Sequence, residues 1–236
     1  MSSVVRLCTR FVALAFLTVA TATAANASPI LTLGLMGGPT TIITDTNNDG
    51  VVSFAGSIGS YVLNFTSGLS NSGSSSTAGA ALLDLFSFDV DAAWGTTSPL
   101  IITLSDDTFR LPVASGTTLT ADGTVEGSML ALGGGSISFQ SLVNGLSLYS
   151  TVFSSDSFSE NGSTTFGYTD PFSLVTTAIV SLNGPGAVEF DQAASVRGSS
   201  GPIGVLAAVP EPASLGLLGA GLVLLASIVR RRKTVP

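Results

Sequence analysis

An all-β fold, an antiparallel β-sandwich of jelly-roll-like winding, is what the sequence predicts between two apolar ends. Apolar residues alternate with Ser and Thr in many short runs, and Asp-Gly and Asn-Gly pairs punctuate them. Few stretches carry the spacing of an amphipathic helix. The helices expected are instead terminal: a signal helix at the N-terminus and a single transmembrane helix near the C-terminus.

In chain order, residues 1–27 come first. Arg6 and Arg10 precede an apolar run from Phe11 to Ala20, and small residues lead to Ala25-Asn26-Ala27. That pattern is a secretory signal with an Ala-x-Ala cleavage site at Ala25 and Ala27, so the mature chain is expected to start at Ser28. The only cysteine, Cys8, leaves with this segment. A mature chain without thiols has no disulfide, thiolate nucleophile or thiolate metal site.

Residues 28–194 form the predicted sandwich domain. Period-two alternation marks strands at Tyr61, Leu63 and Phe65; Leu100, Ile102 and Leu104; Ile137 and Phe139; Leu148, Ser150 and Val152; and Phe172 through Val180. Asp49-Gly50, Asp122-Gly123 and Asn161-Gly162 suit the positive φ angles of tight hairpins and are expected to be turns. The Ser-rich stretch from Ser67 to Gly79 reads as a loop. Thr77 to Phe88 reads two ways: Ala80-Ala81-Leu82-Leu83 could start a helix, but Leu83, Leu85 and Ser87 alternate with Asp84, Phe86 and Phe88, which favours a strand from Leu82 onward. Residues 195–208, rich in Gly, Ser and Ala, read as a linker.

The tail, residues 209–236, holds the most specific signal. Ala213 to Val229 carries no charge and only two serines, so a helix there satisfies its own backbone inside hydrocarbon. At about 1.5 Å per residue such a helix is about 25 Å long, the short end of a bilayer span. Pro212 suits the first helical turn, and Pro210 keeps its predecessor extended. Arg230, Arg231, Arg232 and Lys233 would stay cytoplasmic by the positive-inside bias, leaving the body outside. An ordinary retained single-span anchor is the bland alternative. Gly216, Gly219 and Gly221 are too common a feature of membrane helices to predict a dimer.

Val209-Pro210-Glu211-Pro212, a short Gly- and Leu-rich span and a terminal Arg cluster together resemble the PEP-CTERM sorting signal of Gram-negative bacteria. The resemblance implies transient anchoring in the inner membrane and processing by an exosortase near Pro210 to Pro212. A tail of this kind is also named an ice-binding protein C-terminal domain, a label on the tail and not an activity. A second resemblance lies in the body. Asp45 through Gly68, with Asn48-Asp49-Gly50-Val51-Val52-Ser53-Phe54 and Gly56-Ser57-Ile58-Gly59, is similar to the N-terminal part of a group of exported PEP-CTERM cargo proteins of unassigned function. Ser105-Asp106-Asp107-Thr108-Phe109 looks like that group's central strand-end motif, and the likeness implies a β-sandwich without supplying an activity.

Charge narrows the partners. Between Ser28 and Val209 the cations are Arg110 and Arg197, against fourteen acids. Nucleic acid is excluded as a partner, because a phosphate backbone needs a cation-lined groove. Anionic surfaces are disfavoured too, unless a divalent ion bridges them.

Catalytic groups are scarce. With no histidine in the chain, no imidazole base, ligand or Ser-His-Asp triad can form. Carboxylate pairs remain, and glycoside hydrolysis needs two at a defined separation. Asp106 and Asp107 are adjacent on a strand and point to opposite faces, while Asp89 and Asp91 would share one. Both pairs read more simply as solvated strand ends, and no enzyme is expected. Asp45-Thr46-Asn47-Asn48-Asp49-Gly50 matches the first half of a calcium loop, with oxygens from Asp45, Asn47 and Asp49 and a glycine sixth. The match stops there, since Gly56 stands where a bidentate Glu belongs. No cofactor is predicted beyond this Ca²⁺ alternative, against which stands an Asx-rich turn. Trp94, Tyr61, Tyr149 and Tyr168 read as core or rim residues, and the Thr-Thr pairs show none of the regular array that ice binding wants.

The sequence therefore predicts a non-enzymatic exported protein, anchored as a precursor with its body in the periplasm and then passed to the cell surface or extracellular matrix. Exosortase and exopolysaccharide are the expected partners. A carbohydrate-binding module or adhesin, with or without Ca²⁺, is the alternative.

Overall fold

The computed structural model describes residues 27–93 and 98–198. The signal segment, Trp94 and the tail, including Val209 to Pro212, the span 213–229 and Arg230 to Lys233, lie outside the described residues. Among those described, no helix is long and apolar enough to cross a membrane.

Among the described residues there are twelve strands and one short helix. In order they are β1 (Ile30–Leu35), β2 (Thr40–Thr44), β3 (Val51–Ile58), β4 (Tyr61–Ser70), α1 (Ser72–Ala78), β5 (Ala80–Ala92) and β6 (Leu100–Phe109). There follow β7 (Thr118–Ala131), β8 (Gly135–Val143), β9 (Leu146–Phe153), β10 (Ser157–Gly167), β11 (Phe172–Leu182) and β12 (Gly186–Arg197). Two six-stranded sheets result, ordered β2-β1-β6-β11-β8-β9 and β10-β7-β12-β5-β4-β3. Every pairing is antiparallel. The chain crosses between sheets at β2–β3, β5–β6, β6–β7, β7–β8, β9–β10, β10–β11 and β11–β12.

Alternation explains the core. Leu100, Ile102, Leu104, Ile137, Phe139, Leu174, Ala178 and Val180 project from the first sheet; Tyr61, Leu63, Leu83, Leu85, Phe190, Ala194 and Val196 answer from the second. All are buried in one cluster. Polar ties cross it as well. The Tyr61 hydroxyl donates to the Val180 carbonyl at 3.0 Å, and Gln192 Nε2 donates to the Gln140 carbonyl at 2.9 Å. A buried polar group without such a partner would cost more than the bond returns.

Several expectations need correction. Asp122-Gly123 and Asn161-Gly162 are not turns: both lie inside long strands, and Gly162 sits opposite Gly123 in the β7–β10 ladder. The reason is close approach. A Cβ on Gly123 would stand 2.7 Å from the Tyr149 ring, and one on Gly162 would strike the Leu148 carbonyl oxygen, because β9 runs across them from the other sheet. Asp49-Gly50 does bend the chain, but between sheets and not within a hairpin, since β2 and β3 belong to different sheets.

Two faces also switch. The β4–β5 ladder is interrupted at Asn64 and Asp89, where two successive residues on each strand leave the core, and this turns Phe65 outward. A bulge in the β8–β9 ladder buries both Leu148 and Tyr149 and leaves Val152 exposed. The segment expected as a loop from Ser67 to Gly79 completes β4 and then forms α1. β12 runs to Arg197, so the first residues read as linker belong to the sandwich. The strand expected from Leu82 is present and starts at Ala80.

A Gly162→Ala substitution is expected to cost about 1–3 kcal/mol by overpacking against β9. Gly167→Ala, in the same strand with open space around it, should stay within about 0.5 kcal/mol. Chemical denaturation of both variants checks the contrast.

Candidate functional site

The outward face of the second sheet carries an aromatic strip. Phe65, Phe86 and Phe88 are 44 %, 38 % and 47 % exposed, an uncommon exposure for phenylalanine on a strand. Phe65 opposes Phe88 across β4 and β5, Ser67 opposes Phe86, and the Phe65 and Phe86 rings lie 6.4 Å apart, tilted by 53°. The break in the β4–β5 ladder is what brings Phe65 to this side.

Carboxylates border the strip. Asp191 on β12 opposes Phe86, Glu126 on β7 opposes Asp191, and Glu189 accepts from the Ser128 hydroxyl at 3.0 Å. Asp84 lies two residues along β5 from Phe86, on the same face. Burial, and then Asp191 as hydrogen-bond partner and neighbouring charge, pushes its carboxyl up to about 7. Among the described residues, nothing lies within hydrogen-bonding distance and angle of the buried Oδ1 atom of Asp84. This face therefore offers flat apolar rings beside acceptors, one of which keeps a proton near neutrality.

The residues singled out from sequence fall elsewhere. Asp45, Asn47 and Asp49 do come together in the β2–β3 crossing. Asp45 Oδ1 accepts the Asn47 and Asn48 amides at 3.2 and 2.8 Å, and Oδ2 accepts the Gly50 amide at 2.7 Å. Asp49 Oδ1 accepts the Val51 amide at 2.9 Å, and its Oδ2 accepts from the Asn47 side chain at 2.8 Å. These are the bonds of an Asx-rich turn, with Asn48 at φ 58° and Gly50 at φ 82°. Among the described residues, no group of three or more His, Cys, Asp and Glu is placed to hold a metal ion.

Asp89 stands at φ 53° where the β4–β5 ladder breaks, and Asp91 accepts from Asn64 Nδ2 at 3.1 Å. Asp107 is exposed, as the opposite-face argument requires. Asp106 is not a solvated strand end: it is only 2 % exposed. Its Oδ2 accepts the Ser70 and Ser72 hydroxyls, both at 2.7 Å, and the Ser28 backbone amide at 3.3 Å. Its Oδ1 accepts the Thr108 hydroxyl at 2.6 Å and amide at 2.9 Å. The sequence signal for this cage was the Ser-rich run beginning at Ser70. The signal for the aromatic strip was Phe86 and Phe88 alternating outward from Leu85 and Ser87.

Residues 208–233 match the family model of the PEP-CTERM protein-sorting motif. The chain thus carries a PEP-CTERM protein-sorting motif at residues 208–233, which indicates export and exosortase-mediated sorting. No curated protein matches the chain. Among solved structures it is similar to the CBM36-1 domain of a multidomain xylanase from the hindgut metagenome of Trinervitermes trinervoides. That match has 11 % identity over 50 % of this chain and 79 % of the other, with a TM-score of 0.23. A family 35 carbohydrate-binding module from Clostridium thermocellum matches at 12 % identity over 48 % and 90 %, with a TM-score of 0.24. The Podospora anserina GH26-CBM35 β-(1,4)-mannanase matches at 12 % identity over 66 % and 29 %, with a TM-score of 0.23.

Asp84 sets a pH prediction. An acid whose folded pKa lies above its unfolded value binds more protons when folded, so stability falls as pH rises from the ordinary carboxylate range through about 7. Asp84→Asn should flatten that decline and raise the melting temperature at pH 8 relative to the parent. Thermal unfolding of both proteins at pH 5 and pH 8 reads the difference.

Proposed function

We propose that this chain is a non-enzymatic structural or adhesive protein of the cell surface or extracellular matrix. It is exported by its signal helix, 1–27, and held transiently by a transmembrane helix at 213–229 with its C-terminus inside. Exosortase then cuts near Pro210 to Pro212. The sorting-motif match at 208–233 carries this reading. An acidic body without cysteine or histidine supports it, because such a surface stays soluble outside the cell and offers little for catalysis. The jelly-roll-like winding of the sandwich would present broad sheet faces as the working surfaces.

Replacing Arg230, Arg231, Arg232 and Lys233 with Ala, or Pro210-Glu211-Pro212 with Ala, should leave a full-length membrane-bound form where the parent yields a shortened released one. Fractionation with intact-mass measurement decides it. Release of uncut parent protein, or equal release of all three, would sink the sorting role.

A second reading is favoured by the strip of Phe65, Phe86 and Phe88: a face that binds a neutral glycan. Pyranose C–H faces stack on aromatic rings, and sugar hydroxyls donate to carboxylates such as Asp191 and Glu189. Acidic glycans would meet mainly like charge beside the rings, from Asp84, Glu126, Glu189 and Asp191. Ca²⁺ enters this reading only through Asp45, Asn47 and Asp49. On a glycan array, binding should favour neutral chains and drop by about tenfold in a Phe86→Ala, Phe88→Ala variant, the size of a lost stacking contact of about 1.4 kcal/mol. A chelator effect that disappears in Asp45→Ala, Asp49→Ala would assign the ion to that loop. Binding that ignores both phenylalanines removes the face.

A further inference from the structure

We infer that removal of the signal segment turns Ser28 into an internal ligand, its new α-ammonium pairing with the buried Asp106 carboxylate and fastening the N-terminal segment to the sandwich. The inference rests on cleavage between Ala27 and Ser28.

The geometry is already in place. Ser28 N lies 3.3 Å from Asp106 Oδ2, and Ile30 opens β1 opposite Ser105, so the β1–β6 register holds the two groups together. Pro29 anchors the same stretch by accepting the Asp45 amide at 3.3 Å. Apart from the Ser28 and Thr108 amides, the donors to Asp106 are the hydroxyls of Ser70, Ser72 and Thr108. Among the described residues, no Lys or Arg side chain forms an ion pair with Asp106; the pair found is Arg110–Asp170 at the surface. At a buried carboxylate served only by neutral donors, solvent screens the attraction to a cation little, and that attraction works against the cost of desolvating the cation.

Cleavage supplies that cation. Water adds across the Ala27–Ser28 amide: the Ala27 carbonyl carbon takes the oxygen and departs as a carboxylate, and the C–N bond breaks. The freed Ser28 nitrogen takes up protons to become an ammonium, since an α-amine titrates near about 7.7–8.0. One amide donor is thereby replaced by a cation with three. The order of events follows from burial. Ala27 is fully buried, with its Cβ 3.4 Å from where a Cβ on Gly50 would stand, so the scissile bond is out of a peptidase's reach once the body has closed. Processing therefore precedes docking.

The composition makes the test clean. Between Ser28 and Val209 there is no lysine, so an amine-reactive ester labels only the α-amine there, and Lys233 is told apart by mass. The full-length chain is expressed in a bacterial host, the exported form purified, and its first residue read by intact mass and N-terminal sequencing. Ser28 is expected. At pH 7 its amine should label about tenfold more slowly in the native protein than in urea, the effect of a one-unit rise in amine pKa. Asp106→Asn should restore fast labelling. Because that variant can fail to fold, a second inserts one Gly between Ala27 and Ser28, leaving Asp106 and its hydroxyl donors intact while displacing the ammonium. It should label fast and melt at a lower temperature. A first residue other than Ser28 overturns the cleavage reading and this one with it. A Ser28 start with equal labelling rates in native and unfolded protein overturns the ion pair alone.

Discussion

A single buried charge organises one end of the sandwich. Asp106 sits inside near the end of β6, and a carboxylate there is tolerable only if its oxygens are saturated with donors. That requirement reaches three other segments. It fixes the last residue of β4 through Ser70, the first residue of α1 through Ser72 and the entry of the chain through Ser28. Hydroxyls then do the docking that apolar side chains do elsewhere. Ser75 donates to the Arg110 carbonyl and accepts the Arg110 amide, and Asn71 caps the start of β5 by binding Ala80 and Leu82. A seven-residue helix of Gly, Ser, Thr and Ala has no apolar stripe to hold it, so this polar cage substitutes for one.

The opposite end depends on small residues. β9 crosses the β7–β10 ribbon closely enough that only glycines fit at positions 123 and 162, and the Tyr149 hydroxyl reaches the Thr124 carbonyl at 3.1 Å. Beside this contact an aromatic group of Phe139, Phe153, Phe158 and Phe190 fills the interior, with ring centroids 4.9 to 6.2 Å apart. One end is thus secured by hydrogen bonds to a charge and the other by backbone proximity and ring packing.

What the sequence disclosed follows from this division. Alternation is a local property, so the strands through Leu100 to Leu104 and through Phe172 to Val180 were readable directly. Bulges and close approaches are decided by a partner strand. The glycines after Asp122 and Asn161 carry the same local signature as a hairpin turn, and only the presence of β9 distinguishes the two uses. Phe65 likewise reads as core until the break in its ladder with β5 turns it outward. Asp106 and Asp107 look equivalent in the sequence, yet the strand's pleat sends one into the serine cage and the other to water. The sorting motif was legible because it is linear and needs no tertiary context.

The place of β12 has a mechanical meaning. The last strand of the body does not sit at a sheet edge; it lies between β5 and β7, laddered along both sides from Gly186 to Arg197. In a chain made from its N-terminus this strand comes last, so β5 and β7 have no strand to join them until residues 186–197 are available. Once β12 is seated, any pull transmitted through Gly198 meets a strand laced on both flanks, and extracting it means rupturing two rows of bonds instead of peeling one.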